Sequence, residues 1–178
     1  HAGFSAVVEA RAKPMIRALT LPASVLLLTG EPGAGKAYMA EYVGRALESE
    51  APGTVRAFVL PRPPDDPDDP HQLFGAVFPE AVPEPGKGVD TWFSETFRAA
   101  QLAEQILASA QAAAGAAEPL LVLPGVDHYS ASAAAVLEHL VRLEGARIIA
   151  TAHRMRGGAA QMARDPRTAR ITVAPLDL

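Results

Sequence analysis

The chain has 178 residues, of which 49% are apolar and 20% charged, so one domain with a substantial buried core is expected. Its net charge of −4 argues against DNA or an anionic membrane as a direct partner of this segment. It has no cysteine, which excludes disulfides and Cys-ligated zinc, and it shows no signal peptide and no apolar run of about 18 residues, so we expect a cytoplasmic protein without a membrane span.

The first third of the chain predicts an alternation of helices and strands. The predicted elements are a helix over 5–19, a strand over 23–29, a helix over 36–48 and a strand over 54–60. Val7, Val8, Ile16 and Leu19 are available for one face of the first helix. Pro14 interrupts that helix, so a kink or a break is expected there.

The middle of the chain predicts two loops and one long helix. Residues 61–70 read PRPPDDPDDP, and this density of prolines and aspartates predicts an exposed loop. A short apolar patch over 73–78 is expected to form a helical turn, and a second loop follows over 79–88. The alanine-rich segment 90–114 predicts a helix. Its apolar stripe consists of Phe93, Phe97, Ala100, Ala103 and Leu107.

The last third again alternates strands with helices. Strands are predicted over 120–123, 147–151 and 170–173, and helices over 132–143 and 159–164. The inward face of the first of these helices consists of Val136, Leu137, Leu140 and Val141. Alternating strands and helices predict a parallel sheet with helices on both faces.

A glycine-rich loop separates the first strand from the second helix. Residues 30–37 read GEPGAGKA, which follows the GxxxxGK part of a phosphate-binding loop. Its backbone N–H groups and the following helix N-terminus favour an anion, and Lys36 would neutralise the outer phosphates. The predicted nucleotide-binding residues are Glu31, Pro32, Gly33, Ala34, Gly35, Lys36, Ala37 and Tyr38. The alternative is a glycine-rich turn that binds no ligand.

Two departures from the usual pattern concern the metal. Ala37 stands where Ser or Thr ligates Mg²⁺, and Pro124 and Gly125 follow the strand at 120–123, where acidic residues are expected. Phosphoryl transfer depends on metal and positioned charge for most of its acceleration. The sequence therefore predicts nucleotide binding with little or no hydrolysis and without a protein-bound metal.

Other polar residues near the strand ends have weaker claims to a role. Asp127 lies three residues beyond the expected first acid, so it would reach a metal only if the loop were reshaped. Its alternative is a solvated loop residue or a cap for the following helix, and His128 is expected to be polar surface. Thr151 ends the strand beside the phosphate loop, where such a residue often bonds the γ-phosphate or the attacking water, or it merely ends the strand.

Arginines in the last third are further candidates. Arg154 and Arg156 follow Thr151 and are expected to be surface residues, with phosphate contact as the alternative. Some oligomeric ATPases carry an arginine finger for the neighbouring subunit in the region that here holds Arg164, Arg167 and Arg170. Nothing in the sequence selects one of the three.

These segments together resemble a known family. GEPGAGK, HQLFGAVFPE, PLLVLPGVDHYSASAAAVLEHLV, ARIIATAHR and ITVAPLDL occur in the order found in the AAA+-like ATPase domain of large LuxR-family transcriptional regulators, the MalT-like type common in actinobacteria. The resemblance covers most of the chain. It implies a P-loop NTPase three-layer α/β sandwich, with a five-stranded parallel sheet of order 5-1-4-3-2.

The resemblance also implies a ligand and a context. ATP or ADP would bind, and the need for Mg²⁺ is left open by Ala37 and Pro124. Residues 1–178 would be a single ATPase-like domain of a longer regulator. Its lid and its helix-turn-helix DNA-binding domain would lie outside this fragment. The other domains of that chain would be its partners, and DNA would be bound only through the C-terminal domain.

Three functions compete on the sequence. The first is a nucleotide-responsive regulatory domain, in which nucleotide biases a distant output domain. The second is a nucleotide-free pseudo-ATPase scaffold, for which the acidic proline loop at 61–70 would suit a protein partner. The third is an active P-loop NTPase or small kinase, which the extra leading helix disfavours. An efficient ATPase is not expected.

Overall fold

The structure is a computed structural model that describes residues 2–63, 70–82 and 95–175. The helices are Ala2–Ala18 (α1), Lys36–Glu50 (α2), Pro70–Leu73 (α3), Glu95–Ala114 (α4), Ala131–Leu143 (α5) and Gly157–Ala163 (α6). The strands are Val25–Thr29 (β1), Val55–Val59 (β2), Glu118–Leu123 (β3), Arg147–Ala152 (β4) and Thr168–Thr172 (β5). A single turn of 3₁₀ helix, Val126–His128, follows β3.

The five strands form one parallel sheet in the order β2-β3-β4-β1-β5. Read from the other side, this is the predicted order 5-1-4-3-2, so the predicted P-loop NTPase sandwich is confirmed. All strands end at the same side of the sheet, which we call the carboxyl edge, and begin at the opposite side, the amino edge. The register places Thr151 beside Leu28, at the end of β1.

Helices cover both faces of the sheet because its strands are apolar on both sides. One face packs against α1 and α2 through Leu26, Leu28, Leu120, Val122 and Ile149. The other face packs against α3 to α6 through Leu27, Leu121, Leu123, Ile148 and Ala150. The alternation along each strand therefore produces two separate cores.

The first helix differs from its prediction. It is one helix from Ala2 to Ala18 that includes Pro14, so of the predicted kink or break the break is wrong and the kink stays a prediction. Val8, Ala12 and Met15 of this helix are buried, and so is Leu19 directly after it. Of the predicted face, Val7 and Ile16 are only half-buried. Proline removes the N–H that would bond the carbonyl of Ala10, and the exposed side of the helix lets water reach that carbonyl.

Most other elements lie within two residues of their predicted ends. β1 begins at Val25 and not at the predicted residue 23. The reason is that Ala23 has a positive φ of 60° and donates its N–H to the Glu118 carboxylate at 2.9 Å. The predicted inward face of α5 is confirmed, and Ser130 caps this helix by accepting from the N–H of Ala133 at 3.2 Å.

The middle of the chain is described in part. The predicted loop residues 64–69 and 83–88, the predicted helix residues 90–94 with Phe93, and the side chain of Phe97 lie outside the described residues. Of the predicted α4 stripe, Ala103 and Leu107 are buried and Ala100 is half-buried. The patch at 73–78 forms the end of α3 and the turns after it, with Leu73, Phe74 and Phe78 in the core.

Candidate nucleotide-binding site

The phosphate loop connects β1 to α2 at the carboxyl edge. Gly30 begins it, and a Cβ at this position would lie 2.5 Å from the carbonyl oxygen of Val173. Only glycine fits there without moving the chain that follows β5. Gly35, with φ of 85°, stands immediately before α2. Ala34 is buried and anchors the loop to the core under α2.

The N-terminus of α2 faces the loop. Its first backbone hydrogen bond runs from the N–H of Met39 to the carbonyl of Gly35 at 2.9 Å. The N–H groups of the first helical turn have no acceptor within a helix, and the helix dipole adds positive potential there. The backbone of Lys36, Ala37 and Tyr38 is therefore arranged as an anion site.

Lys36 lies over the loop that precedes it. Its ammonium donates to the carbonyl oxygens of Gly30 at 2.7 Å and Glu31 at 2.9 Å. Burial lowers the pKa of Lys36, the negative charges of Asp127 and Glu31 raise it, and the positive charge of Arg62 lowers it further. The cation is thus bound by backbone carbonyl oxygens.

The residues at the expected metal positions carry no ligand oxygen. Pro124 is buried and Gly125 adopts a left-handed φ of 69°. A Cβ on Gly125 would lie 3.3 Å from Cδ of Pro63, so an acidic side chain there would be both strained and crowded. Together with Ala37, these positions offer no side-chain oxygen to Mg²⁺. Within the described ranges, no group of three or more His, Asp or Glu residues is placed to hold a metal ion.

Asp127 is buried, and its carboxylate binds backbone N–H groups. It is only 4% exposed, and its Oδ2 accepts from the backbone N–H groups of His153 at 3.2 Å and Arg154 at 3.0 Å. The prediction of a solvated loop residue or a cap for α5 is wrong, because the 3₁₀ turn directs the carboxylate inward and Ser130 caps α5. Asp127 therefore fixes the chain just after β4.

Thr151 and His153 join this end of β4 to its neighbours. Thr151 is 3% exposed, and its Oγ1 accepts the N–H of Gly125 at 2.9 Å. His153 Nδ1 lies 3.1 Å from the carbonyl oxygen of Gly30, the same oxygen that Lys36 contacts. Since a carbonyl only accepts, Nδ1 is the donor. Hydrogen bonds thus join the end of β4 to the phosphate loop at Gly30 and to Gly125, one of the two positions where an acid was expected.

The predicted surface residues are exposed. His128 has 59% of its side chain accessible, with Nε2 3.8 Å from the Asp127 carboxylate. Arg154 and Arg156 are exposed in the segment after β4. Tyr38 is 51% exposed, and its ring lies 6.5 Å from that of Tyr42 at an interplanar angle of 27°.

The three arginine-finger candidates lie in different surroundings. Arg167 contacts the carboxylates of Asp165 at 3.1 Å and Glu144 at 3.0 Å. Arg164 donates weakly to Gln161 at 3.4 Å, and Arg170 is exposed on β5. Arg167 precedes β5, so it lies at the amino edge, on the side opposite the phosphate loop.

A separate cleft of about 270 Å³ lies between α5 and α6. Its charged side chains are paired with one another or with neighbours, for example Arg142 with Glu138 at 2.6 Å and Asp165 with Arg167. The cleft is remote from the phosphate loop and offers no concentrated charge of one sign. It therefore does not compete with the loop as an anion site.

Arg62 is a candidate site residue that the sequence analysis did not predict. It follows β2, whose end lies at the carboxyl edge, and its positive charge lowers the pKa of Lys36. The available signal was the predicted topology, because a parallel sheet brings the residue after every strand to one edge. The prolines and aspartates around it predict an exposed loop over 61–70, and this pattern gives no signal for the one cation in it.

A profile of the AAA domain family matches residues 20–155. The chain belongs to the AAA domain family. The match runs from just before β1 to just after β4, and so includes the phosphate loop, the turn after β3 and Thr151. Domains of this family bind nucleotide at the phosphate loop, where Lys36 lies in this AAA domain.

Three solved structures are similar to this AAA domain at low sequence identity, and only the first of them has a TM-score above 0.5. A chain in the structure of Drosophila ORC bound to GC-rich DNA and Cdc6 has 13% identity and a TM-score of 0.53, over 99% of this AAA domain and 60% of that chain. The Pif1 helicase of Candida albicans has 11% identity and a TM-score of 0.49, over 93% and 39%. C. elegans PCH-2 has 17% identity and a TM-score of 0.46, over 94% and 41%.

The AAA domain thus spans about 60% of the length of the ORC-complex chain that it matches. At 13% identity the likeness concerns the fold alone. No curated protein sequence is significantly similar to it. None of the helices within the described ranges is both long enough and apolar enough to cross a lipid bilayer.

Proposed function

We propose that the chain is the nucleotide-binding regulatory domain of a LuxR-type transcriptional regulator of the MalT-like kind, with a degenerate metal site and little or no ATP hydrolysis. The observation that carries the proposal is the combination at one edge of the sheet. A phosphate loop with Lys36 stands beside positions 37, 124 and 125, none of which has a ligand oxygen. Anion binding needs only the phosphate loop and Lys36, whereas catalysis also needs side-chain ligands for the metal ion.

The ligand in this proposal is ATP or ADP. The backbone of residues 31–38 receives the phosphate chain, and Lys36 exchanges the carbonyls of Gly30 and Glu31 for phosphate oxygens. Thr151 acts as the sensor residue through its hydroxyl, which already accepts the N–H of Gly125. Asp127 serves to hold the end of β4 and has no metal role.

The same contacts suggest how occupancy is transmitted. Gly30 contacts both Lys36 and His153 through one carbonyl oxygen, so a phosphate that draws Lys36 away changes the surroundings of the segment after β4. Nucleotide would then favour one arrangement of that segment over another. In the proposed regulator, the partners of this surface are other domains of its own chain, and a helix-turn-helix domain binds DNA.

The LuxR assignment rests on the sequence segments around Thr151 and on HQLFGAVFPE, which the family resemblance includes. The reading frame that encodes the chain tests it. A helix-turn-helix domain encoded downstream in the same frame supports the proposal. A frame that encodes the AAA domain with a nuclease, protease or helicase domain contradicts it.

Titration with a fluorescent ATP analogue tests the nucleotide site. Wild type should bind with similar affinity in Mg²⁺ and in EDTA, because the protein supplies no metal ligand. Lys36→Ala should weaken binding at least about tenfold, the usual effect of losing a hydrogen bond to a charged group. Lys13→Ala is the matched control, since Lys13 is exposed on α1.

The other outcomes select the other functions. Affinity that disappears with EDTA contradicts the degenerate metal site. Steady ATP turnover that is lost in Lys36→Ala makes the protein an active NTPase. If neither ATP nor ADP binds wild type, the phosphate loop is a structural turn and the domain is a nucleotide-free scaffold.

A further inference from the structure

The chain after β2 crosses to the end of the neighbouring strand. Beyond Val59, the N–H of Leu60 donates to the carbonyl of Val122 at 2.9 Å, which continues the β2–β3 pairing. Pro63 then packs against Gly125, with its Cδ 3.3 Å from where a Cβ would stand. Residues 61–63 therefore lie against the position that holds the second acid in metal-dependent P-loop enzymes.

Arg62 belongs to this crossing segment and is exposed. Its positive charge lowers the pKa of Lys36, so the two cations share one region of the carboxyl edge. The carboxylates of Asp127 and Glu31 both raise the pKa of Lys36, and Oδ2 of Asp127 accepts from two backbone N–H groups after β4. A phosphate chain that comes to this edge would therefore meet two cations, Lys36 and Arg62.

The residues that would hold Mg²⁺ do not fit the metal, as the side chains of Ala37, Pro124 and Gly125 show. A nucleotide polyphosphate nevertheless carries three or four negative charges that need compensation. We propose that Arg62 is a phosphate-binding residue whose guanidinium supplies, beside Lys36, the positive charge that a metal ion supplies in metal-dependent P-loop proteins. This inference rests on the proposed nucleotide function.

The chemistry of arginine suits this role. A guanidinium stays charged at all physiological pH values and presents a planar fork of donors that matches two phosphate oxygens. Its contribution should grow with the number of phosphates. The domain is therefore expected to select nucleoside di- and triphosphates over monophosphates in the absence of Mg²⁺, and Arg62 is expected to account for part of that selection.

The experiment compares Arg62→Ala and Arg62→Lys with wild type in EDTA, using fluorescent analogues of ATP, ADP and AMP. Arg62→Ala should weaken ATP and ADP binding about tenfold or more and change AMP binding little. Arg62→Lys should restore part of the affinity, because it keeps the charge and loses the fork. Arg45→Ala, an exposed cation on α2, is the matched control and should bind like wild type.

A second readout separates direct contact from a structural effect. Affinity for ATP should fall more gently with added salt in Arg62→Ala than in wild type, because one fewer cation contributes to the attraction. The melting temperature should stay unchanged, because Arg62 is exposed. An Arg62→Ala variant that melts at a lower temperature, with an unchanged salt dependence of binding, contradicts the direct contact.

Different results would contradict the role of Arg62 and the proposed nucleotide-binding function. If Arg62→Ala binds ATP as wild type does while Lys36→Ala loses binding, the role of Arg62 is overturned and the nucleotide site stands. If wild type binds no nucleotide, both are overturned. Loss of affinity in Arg62→Ala that is equal for ATP and AMP also contradicts phosphate contact.

Discussion

The two edges of the sheet use charge in opposite ways. At the amino edge, Arg147 and Glu118 are in direct contact, with Nε 2.6 Å from a carboxylate oxygen. Arg147 is buried and Glu118 is half-buried, and each has a second partner. Arg147 donates to the carbonyl of Leu19 at 2.7 Å, and Glu118 accepts the N–H of Ala23 at 2.9 Å. This pair joins β3 and β4 to the connection between α1 and β1.

At the carboxyl edge, opposite charges come close without direct contact. Lys36 donates to backbone carbonyls and Asp127 accepts from backbone N–H groups. Asp127 acts on Lys36 only at a distance, by raising its pKa. Backbone groups thus satisfy the charges at this edge without neutralising them.

The difference indicates that the two edges of the sheet have separate roles in stability and in binding. An internal ion pair leaves no charge for a ligand, and removing one partner leaves the other buried and unpaired. A cation bound by carbonyl oxygens remains fully charged, so a phosphate finds it available. The amino edge is therefore expected to determine stability, and the carboxyl edge to determine binding.

The largest effect is expected at the amino edge. Glu118→Ala should lower the free energy of unfolding by about 3–5 kcal/mol, because it leaves the buried guanidinium of Arg147 without its carboxylate. Urea denaturation measures this change. Glu138→Ala is the control, because it breaks an exposed helical pair with Arg142 and should cost about 0.5 kcal/mol or less.

The comparison also requires that Glu118→Ala leave the binding site intact. Where the variant is still folded, its affinity for ATP should equal that of wild type. A folded Glu118→Ala protein with weakened nucleotide binding would show that the two edges are coupled. It would contradict the separate roles expected of the two edges.

Gly30→Ala should affect both stability and binding. Its Cβ would collide with the carbonyl of Val173, so we expect a loss of about 1–3 kcal/mol in unfolding free energy. Displacement of the Gly30 carbonyl should also weaken ATP binding, because Lys36 and His153 both contact that oxygen. Thermal melting and ATP titration measure the two effects.

Gly53→Ala separates backbone strain from the collision. Gly53 has φ of 81° and open space where a Cβ would stand. Its substitution should cost about 1 kcal/mol from strain and leave ATP affinity unchanged. Equal effects of the two substitutions on binding would show that the Gly30 carbonyl is unimportant.

Asp127 distinguishes a carboxylate that orders the backbone from one that binds metal. Asp127→Ala should cost about 1–3 kcal/mol, because it leaves the N–H groups of His153 and Arg154 without their acceptor. Asp127→Asn keeps an acceptor oxygen and should cost less. It should also lower the pKa of Lys36, measured by NMR of the ammonium, because the charge that raises it is removed.

Nucleotide binding by Asp127→Asn completes the test. In EDTA the variant should bind ATP as tightly as wild type or slightly more so, since a negative charge near the phosphates is gone. A loss of affinity that appears only when Mg²⁺ is present would instead give Asp127 a metal role and contradict the proposed degenerate site.

The fold could be predicted because it rests on local patterns. Short apolar runs, one glycine loop and alternating helices lead to a parallel sheet, and its strand order followed from the resemblance. The phosphate loop could be predicted for the same reason, since Gly30 to Lys36 are contiguous. The continuity of α1 through Pro14 could not, because it depends on which side of the helix faces water.

The rest of the site depends on contacts between distant segments. Burial of Asp127 requires the backbone after β4, and Arg62 reaches its place because Pro63 packs on Gly125. Residues this far apart in sequence, such as Asp127 and Arg154 or Pro63 and Gly125, leave no periodic signal. The missing acids at 124 and 125 were visible, but the segment that fills their space was not.

Asp165 should show the smallest effect and extends the comparison to a more exposed pair at the amino edge. Hydrogen bonds from the Arg167 side chain and N–H hold the pKa of Asp165 below its ordinary value of 3.8. Since the folded pKa is the lower one, the pair stabilises the protein above pH 3.8 and this contribution is lost as the pH falls through the lowered pKa. Asp165→Asn should therefore lower stability at pH 7 by about 1 kcal/mol or less, with a difference from wild type that shrinks below about pH 4. Urea denaturation at pH 7 and pH 3 measures this, and a difference that is the same at both values would assign the effect to shape and not to charge.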